Sequence, residues 1–224
     1  MHTHPTRRTF ITHLGVATAA AAGTGFLPPD LHASPPPAEA GPWDMSWLDA
    51  LARASYRAVV DVSTLEEGYA LHLAGMLIDQ IREVHGVPDE QVRIVLVHRR
   101  GGTPIVFNDT LWARFPLGEE TEQTDPVTSA PARRNPFYTA RPGASPESEA
   151  ITLRALQKRG VIALVCNIAA NNWSGSLAEA TRRDVAEVKK EVFANLVPGT
   201  IVVPSGVFAI MRAQNAGCAY MRGV

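Results

Sequence analysis

The chain alternates short, almost wholly apolar runs of strand length with longer stretches of helical periodicity, and this alternation is its strongest constraint on the fold. The apolar runs cover residues 57–62, 92–97, 161–165, 200–203 and 218–221. A strand with one face in water alternates polar and apolar residues, whereas a strand buried on both faces is apolar almost throughout. The runs therefore predict a three-layer α/β/α fold, in which helices cover both faces of a mainly parallel sheet of about five strands.

The helices expected between these strands follow from the spacing of apolar residues. In residues 65–85 the apolar side chains recur at helical intervals, and Gly86 stands where the helix should end. Similar spacing predicts further helices over residues 151–159, 178–196 and 206–216. Residues 167–172, between the third strand and the next helix, are predicted to form a polar loop.

One long segment, residues 104–148, breaks this pattern and is rich in proline. A connection of this length without regular structure is uncommon inside a compact domain. The segment nevertheless carries large apolar side chains, which a disordered linker would lack: Phe107, Leu111, Trp112, Phe115, Phe137 and Tyr138. Two interpretations remain open: an ordered cover over its own domain, or an interface or substrate lid.

The amino-terminal region has the layout of a twin-arginine export signal. Arg7 and Arg8 precede an alanine-rich stretch that is too short to span a bilayer. Two small-residue cleavage sites follow, one ending at Ala33 and one, with the better fit, ending at Ala40. We therefore predict a signal and cleavage region over residues 1–40, export through the twin-arginine translocase, and a periplasmic or secreted mature protein.

Composition narrows the classes of partner for the mature chain. Residues 41–224 are long enough for one domain with its own core. The net charge of the whole chain is −1, so no strong field favours nucleic acid or an anionic membrane. The sequence also lacks the spacings typical of zinc sites and phosphate loops, so we predict no metal and no cofactor. One domain over residues 41–224, soluble after processing, is the expectation.

The candidate site residues follow from the fold. Ligands of open parallel α/β sheets bind beyond the carboxyl ends of the strands. The polar residues expected there include Ser63, Thr64 and Arg99. The candidates chosen are Cys166, as the catalytic residue, and His98, Asn167, Asn171 and Ser205, as ligand-binding residues. Each has a structural alternative: a buried inert thiol, a local hydrogen bond for the imidazole, a turn for the two amides, and a helix N-cap for the hydroxyl.

Two segments carry a resemblance to a known family. Residues 160–166 (Gly-Val-Ile-Ala-Leu-Val-Cys) and the end of the chain, from Val203-Pro204-Ser205-Gly206 to Tyr220, resemble the DsrE/DsrF-like (YchN-like) family of sulfur-handling proteins. The likeness covers roughly Tyr56 to Gly223. It implies a DsrE-like α/β domain that assembles as a trimer or hexamer, and a cysteine at the position of Cys166 that carries sulfur as a persulfide.

Two classes of function are therefore expected. In the first, the protein is a sulfur-relay or thiol-redox carrier whose Cys166 thiolate is stabilised by a helix N-terminus or by His98, with a sulfur donor or acceptor protein as partner. In the second, it is a non-catalytic periplasmic protein that binds a small ligand, a metal or a partner at the same edge of the sheet.

The two cysteines are expected to stay unlinked. Cys166 ends the third strand, whereas Cys218 precedes the last one, so in a parallel sheet they belong to opposite edges. A strand of ordinary length is far longer than the distance that a disulfide tolerates. Cys218 should therefore pack as a small core residue, and Cys166 should remain available at the binding edge.

Overall fold

A computed structural model describes residues 42–223 of the chain. The export signal and the cleavage sites predicted for residues 1–40 lie outside the described residues.

Five parallel strands form a single sheet. They are β1 (Tyr56–Val62), β2 (Val92–His98), β3 (Ile162–Cys166), β4 (Thr200–Val203) and β5 (Ala219–Arg222). Their order across the sheet is β4-β3-β2-β1-β5, and every pairing is parallel. The predicted three-layer α/β/α fold with a parallel sheet is confirmed.

Nine α-helices lie among residues 42–223, with short 3₁₀ segments at Glu66–Gly68, Asp89–Gln91 and Arg100–Val106. The helices are α1 (Trp47–Ala52), α2 (Tyr69–His85), α3 (Asp109–Arg114), α4 (Leu117–Glu120), α5 (Pro146–Ala150), α6 (Leu153–Lys158), α7 (Asn167–Thr181), α8 (Val185–Ala194) and α9 (Gly206–Asn215). Gly86 ends α2 as predicted, because its φ of 65° turns the chain left-handed while its N–H still donates to the carbonyl of Arg82. None of these helices is long and apolar enough to cross a membrane.

The alternation of side chains along the strands divides the core into two layers. Val60, Leu96 and Val165 point to a large layer that is completed by α2, α6, α7, α8 and the proline-rich segment. Val59, Val97 and Leu164 point to a smaller layer that is completed by α1 and α9. The helices α7 and α9, which follow the neighbouring strands β3 and β4, thus cover opposite faces of the sheet.

The proline-rich segment is an ordered cover over its own domain. Phe107, Trp112 and Phe115 are fully buried in the large layer, and Phe137 is 6% exposed. Asn135 fastens the segment, because its amide donates to the carbonyls of Ile105 and Phe107 and accepts from the N–H groups of Phe137 and Tyr138. The aromatic side chains that motivated the interface alternative are therefore part of the protein's own core.

Two predicted elements differ from the structure. Residues 167–172 are not a loop, since α7 begins directly after Cys166 and includes Asn171 and Asn172. The helix predicted over residues 178–196 is the end of α7 and a separate helix, α8. The break has a local cause: Arg182 adopts a left-handed conformation, and the Asp184 side chain caps α8 by accepting from the N–H groups of Ala186 and Glu187.

Candidate functional site

An open cleft lies between the carboxyl ends of β3 and β4. Its volume is about 460 Å³, within the range of small-ligand pockets. The helices α7 and α9 follow these neighbouring strands but cover opposite faces of the sheet, which leaves a crevice between the two strand ends. Open α/β sheets bind ligands at such switch points. The cleft is lined by Arg99, Arg100, Glu120, Cys166, Ile168, Ala169, Asn172, Trp173, Ser176, Ser205, Gly206 and Val207.

Cys166 lies at the junction of β3 and α7 and contributes to the wall of the cleft. It is the last residue of the strand and the N-cap of the helix, with its Sγ accepting from the Ala169 N–H at 3.4 Å. The residue is 6% exposed. The N-terminus of a helix carries partial positive charge, and the Sγ lies at this end of α7.

Arg99 is held beside the thiol by a carboxylate from the next strand. Its Nε and Nη2 each donate to Asp61 at 2.6 Å, in a two-pronged ion pair. Asp61 is 4% exposed and also accepts from the Tyr220 hydroxyl at 3.1 Å. The hydrogen bonds to Asp61 raise the pKa of Arg99, and negative charge on Cys166 acts in the same direction. The guanidinium is therefore permanently charged and fixed in orientation, close enough to Cys166 to interact with it electrostatically.

Ser205 is the N-cap of α9 and also lines the cleft. Its Oγ accepts from the Phe208 N–H at 3.1 Å and so caps α9. The following Gly206 lies against Arg99, and a Cβ at this position would come within 2.8 Å of the Arg99 Cδ. Glycine therefore allows the start of α9 and the guanidinium side chain to approach each other closely.

His98 lies on the face of the sheet opposite to Cys166. In the register of β2 and β3 it pairs with Val165, one residue before the cysteine, and it is fully buried away from the cleft. Burial lowers the pKa of His98 to about 3, and the backbone of Gly102 opposes this only in part. The Gly102 backbone lies near the ring, but neither ring nitrogen meets the geometry of a hydrogen bond within residues 42–223. The imidazole is neutral and does not contact the ligand space.

The two predicted asparagines bond to each other instead of lining the cleft. The Asn171 amide donates to the backbone carbonyl of Asn167 at 2.7 Å and to its side-chain oxygen at 3.0 Å, within the first turn of α7. Their neighbour Asn172 is the amide that lines the cleft.

Trp173 forms one wall of the cleft and was not among the predicted residues. Its Nε1 donates to the Arg100 carbonyl at 2.8 Å, and its ring meets Phe107 edge to face. Arg100 has a φ of 49°, an uncommon conformation for a side chain with a Cβ. The hydrogen bond from Trp173 thus helps to hold the turn that carries both arginines.

Sequence reasoning missed Arg100, Asp61 and Tyr220, and it placed Arg99 at the carboxyl end of β2 without choosing it as a site residue. The alternation of side chains along a strand could have identified Arg99 as a site residue, because side chains one residue apart point to opposite faces. Counting from the shared register places Arg99, and not His98, on the same side as Cys166. For Tyr220, only the pairing of β5 with β1 brings the hydroxyl to Asp61.

The arrangement suits a reacting atom or ligand group that carries a single negative charge. It joins a thiol, a fixed guanidinium and the N-termini of two helices in one cleft. In the part of the chain that the structure describes, no group of three or more His, Cys, Asp or Glu side chains is placed to hold a metal ion.

Comparison with known proteins identifies no function. No family model matches the chain, and no curated protein matches it. The solved structures that resemble it include a protein of unknown function from Methanobacterium thermoautotrophicum, with 22% identity and a TM-score of 0.37. That match covers 75% of this chain and 99% of the other.

Proposed function

We propose that the protein is a sulfur-relay or thiol-redox carrier in which Cys166 takes up and releases a sulfane sulfur. One observation carries the proposal: the Cys166 thiol lies at the N-terminus of α7 inside a ligand-sized cleft, beside the fixed guanidinium of Arg99. The DsrE-like resemblance of residues 160–166 points to the same residue and the same chemistry.

The transfer step conserves atoms and charge. The Cys166 thiolate attacks the terminal sulfur of a small persulfide, R–S–SH, and a new sulfur–sulfur bond forms at Sγ. The bond between the two donor sulfurs breaks, and R–S⁻ leaves with the electron pair. The persulfide on Cys166 ionises readily, and the helix N-terminus and Arg99 favour its anionic form. Attack by an acceptor thiolate on the outer sulfur then regenerates Cys166.

The setting of this chemistry is part of the same proposal. The protein acts after export through the twin-arginine pathway, in the periplasm or outside the cell, as a homo-oligomer. A donor or acceptor of sulfur is its partner there.

Mass spectrometry of the intact protein tests the proposal. After incubation with a small persulfide and removal of the excess, the protein should gain the mass of one sulfur atom, which a reductant removes. Cys166→Ser should abolish the gain, whereas the matched variant Cys218→Ser should keep it. Absence of any adduct on Cys166, with the fold intact by circular dichroism, would contradict sulfur transfer.

The second candidate is a non-catalytic binding protein that uses the same cleft. The observation in its favour is that Cys166 is 6% exposed and its Sγ already serves as a helix cap. Titration with a thiol reagent across a range of pH separates the two. Rapid modification near neutral pH supports the carrier, and a thiol that reacts only after unfolding supports the binding protein.

A further inference from the structure

The charges around the cleft balance each other. Arg99 and Arg100 are positive, but Asp61 neutralises Arg99 from behind and Glu120 contributes a carboxylate to the lining. What remains is the partial positive charge at the starts of α7 and α9. A multiply charged anion would therefore gain little from this cleft.

Glu120 and Arg99 have different neighbours along the lining of the cleft. Glu120 and Trp173 line an adjoining depression that contains Glu66, Glu67 and Glu122, so negative potential surrounds the Glu120 side of the cleft. The positive side lies at Arg99 and at Gly206, where α9 begins. A ligand with one positive and one negative group would interact favourably with both sides.

Arg99 has donors left for such a ligand. Its Nε and Nη2 are occupied by Asp61, and its Nη1 group forms no hydrogen bond within residues 42–223. The guanidinium is fixed by Asp61, which in turn accepts a hydrogen bond from the Tyr220 hydroxyl, so binding a carboxylate would cost little side-chain entropy.

The size and lining of the cleft exclude a bare inorganic ion as a good fit. The cleft volume of about 460 Å³ is far larger than the roughly 30 Å³ that a water molecule takes up, so the cleft has room for a small organic molecule. Ile168, Trp173 and Val207 give the walls an apolar surface, and Ile168 and Val207 are 56% and 71% exposed. An organic body of a few carbon and sulfur atoms would cover these side chains.

We infer that the cleft binds a small zwitterion of the amino-acid type. The carboxylate of the ligand lies at the Nη1 group of Arg99 and the start of α9, its ammonium group faces Glu120, and its sulfur-bearing side chain lies against the apolar wall. This inference rests on the proposed function in one respect: it identifies the sulfur donor as an amino-acid thiol or persulfide.

Three unreactive probes that share one methylthioethyl body test the charge requirement. They are S-methylcysteine, which carries both charges, 3-(methylthio)propionate, which lacks the amine, and 2-(methylthio)ethylamine, which lacks the carboxylate. Calorimetry should show S-methylcysteine binding about tenfold more tightly than either of the others, since each loses one charge-assisted interaction. Equal affinity of the amine and the zwitterion, or of the acid and the zwitterion, would overturn the inference.

Substitutions assign each charge to its partner. Glu120→Gln should remove the advantage of S-methylcysteine over the acid, whereas Glu122→Gln, in the adjoining depression, should leave it almost unchanged. Because Arg99→Gln alone would leave Asp61 buried without its partner, the double variant Asp61→Asn, Arg99→Gln is used. The double variant should lose the roughly tenfold preference for S-methylcysteine over 2-(methylthio)ethylamine. The double variant and Glu120→Gln should still unfold as cooperatively as the parent. If the double variant or Glu120→Gln binds the three probes as the parent does, the inference is wrong.

The probes carry no transferable sulfur, so this test is independent of the sulfur chemistry. Cys166→Ser should bind S-methylcysteine as well as the parent does. Selective binding of the zwitterion without sulfur uptake would refute the carrier and keep the inference. Sulfur uptake on Cys166 without selectivity among the probes would support the carrier and refute the zwitterion inference.

Discussion

The two cysteines differ in their chemical surroundings as much as in their place in the fold. Cys218 is 7% exposed among the apolar residues of the smaller core layer, and burial raises its pKa to about 11, against a weaker opposing effect of Arg57. At pH 8 only about one molecule in a thousand carries the Cys218 thiolate. Cys166 lies at a helix N-terminus on the wall of an open cleft.

We predict that native protein is labelled at Cys166 first. In Cys166→Ser, labelling of Cys218 should be slow and should accelerate about tenfold for each pH unit up to about pH 11, because only the thiolate reacts. Peptide mapping after timed alkylation measures both rates. Equal labelling of the two residues at pH 8 would contradict the prediction.

The sheet also separates the two cysteines. Cys166 ends β3, Cys218 precedes β5, and β2 and β1 lie between them. Three strand spacings amount to about 14 Å, which exceeds the roughly 4.4–6.8 Å between the Cα atoms of a disulfide. The expectation of two separate thiols therefore agrees with the strand order, and a linked peptide pair from a non-reducing digest would contradict it.

His98 should make the protein sensitive to acid. Its pKa is about 3 in the folded chain and near 6.5 when unfolded, so the unfolded state binds the extra proton between these values. The resulting stability is fully present above pH 6.5 and is lost as the pH falls toward 3. Between pH 6 and pH 4, the parent should lose about 1.4 kcal/mol per pH unit more than His98→Leu does.

Urea unfolding at several pH values measures this difference. The variant is the control for all other titrating groups, since it retains them. Parallel pH profiles of the parent and the variant would mean that the imidazole is protonated or solvated in the folded protein.

At the scale of elements, the proline-rich segment behaves as part of the core. Trp112 is fully buried, its ring meets Phe137 at an angle, and its Nε1 donates to the Pro104 carbonyl at 3.2 Å. Trp112→Ala should therefore lower the free energy of unfolding by about 3–5 kcal/mol. Val127→Ala, at a site in the same segment that is 85% exposed, should change it by less than about 0.5 kcal/mol.

Denaturant unfolding followed by circular dichroism distinguishes a core element from a detachable lid. If the segment were a detachable lid, Trp112→Ala would leave the main unfolding transition unchanged and would add a separate transition at lower denaturant. A single cooperative transition shifted to lower denaturant is the expected result.

At the scale of the whole molecule, export is predicted from Arg7 and Arg8. Replacing both by lysine should leave the full-length precursor in the cytoplasm, because the translocase requires the arginine pair. Amino-terminal sequencing of exported protein should begin at Gly41, or at Ser34 if the earlier site is used. Processed protein outside a strain that lacks twin-arginine transport would contradict the prediction.

A homo-oligomer, either a trimer or a hexamer, remains the prediction from the family resemblance. The aromatic residues of the proline-rich segment no longer supply its physical motive, since they are buried in the protomer. Exposed apolar side chains elsewhere could contribute to an interface: Tyr69, Met76, Val207, Met211 and Tyr220. Light scattering at micromolar concentration should give the mass of a trimer or hexamer, and a monomer mass would refute it.

The sequence by itself determined the elements whose causes are local. Apolar runs predicted the five strands, Gly86 ended α2, and Ser205 capped α9. The expectation of burial on both faces holds for β1, β2 and β3, but β4 is only partly buried and β5, at the edge of the sheet, is largely exposed. Local reasoning failed at α7, where it treated Asn171 and Asn172 as turn residues. Packing of Ala170, Leu177 and Ala178 into the large core layer outweighs the weak helix preference of the two asparagines.

Only the tertiary structure decided which residues share the site. Arg99 and Asp61 are 38 residues apart, and Tyr220 and Asp61 are 159 apart, so no local pattern couples them. Their meeting depends on the strand order β4-β3-β2-β1-β5, in which the last strand returns past the whole sheet to pair with β1. The cleft itself exists because α7 and α9 leave adjacent strands toward opposite faces. Apolar runs indicate where strands form, but the neighbours of each strand, and with them its burial, are set by the packing of the whole chain, as the exposed edge strand β5 shows.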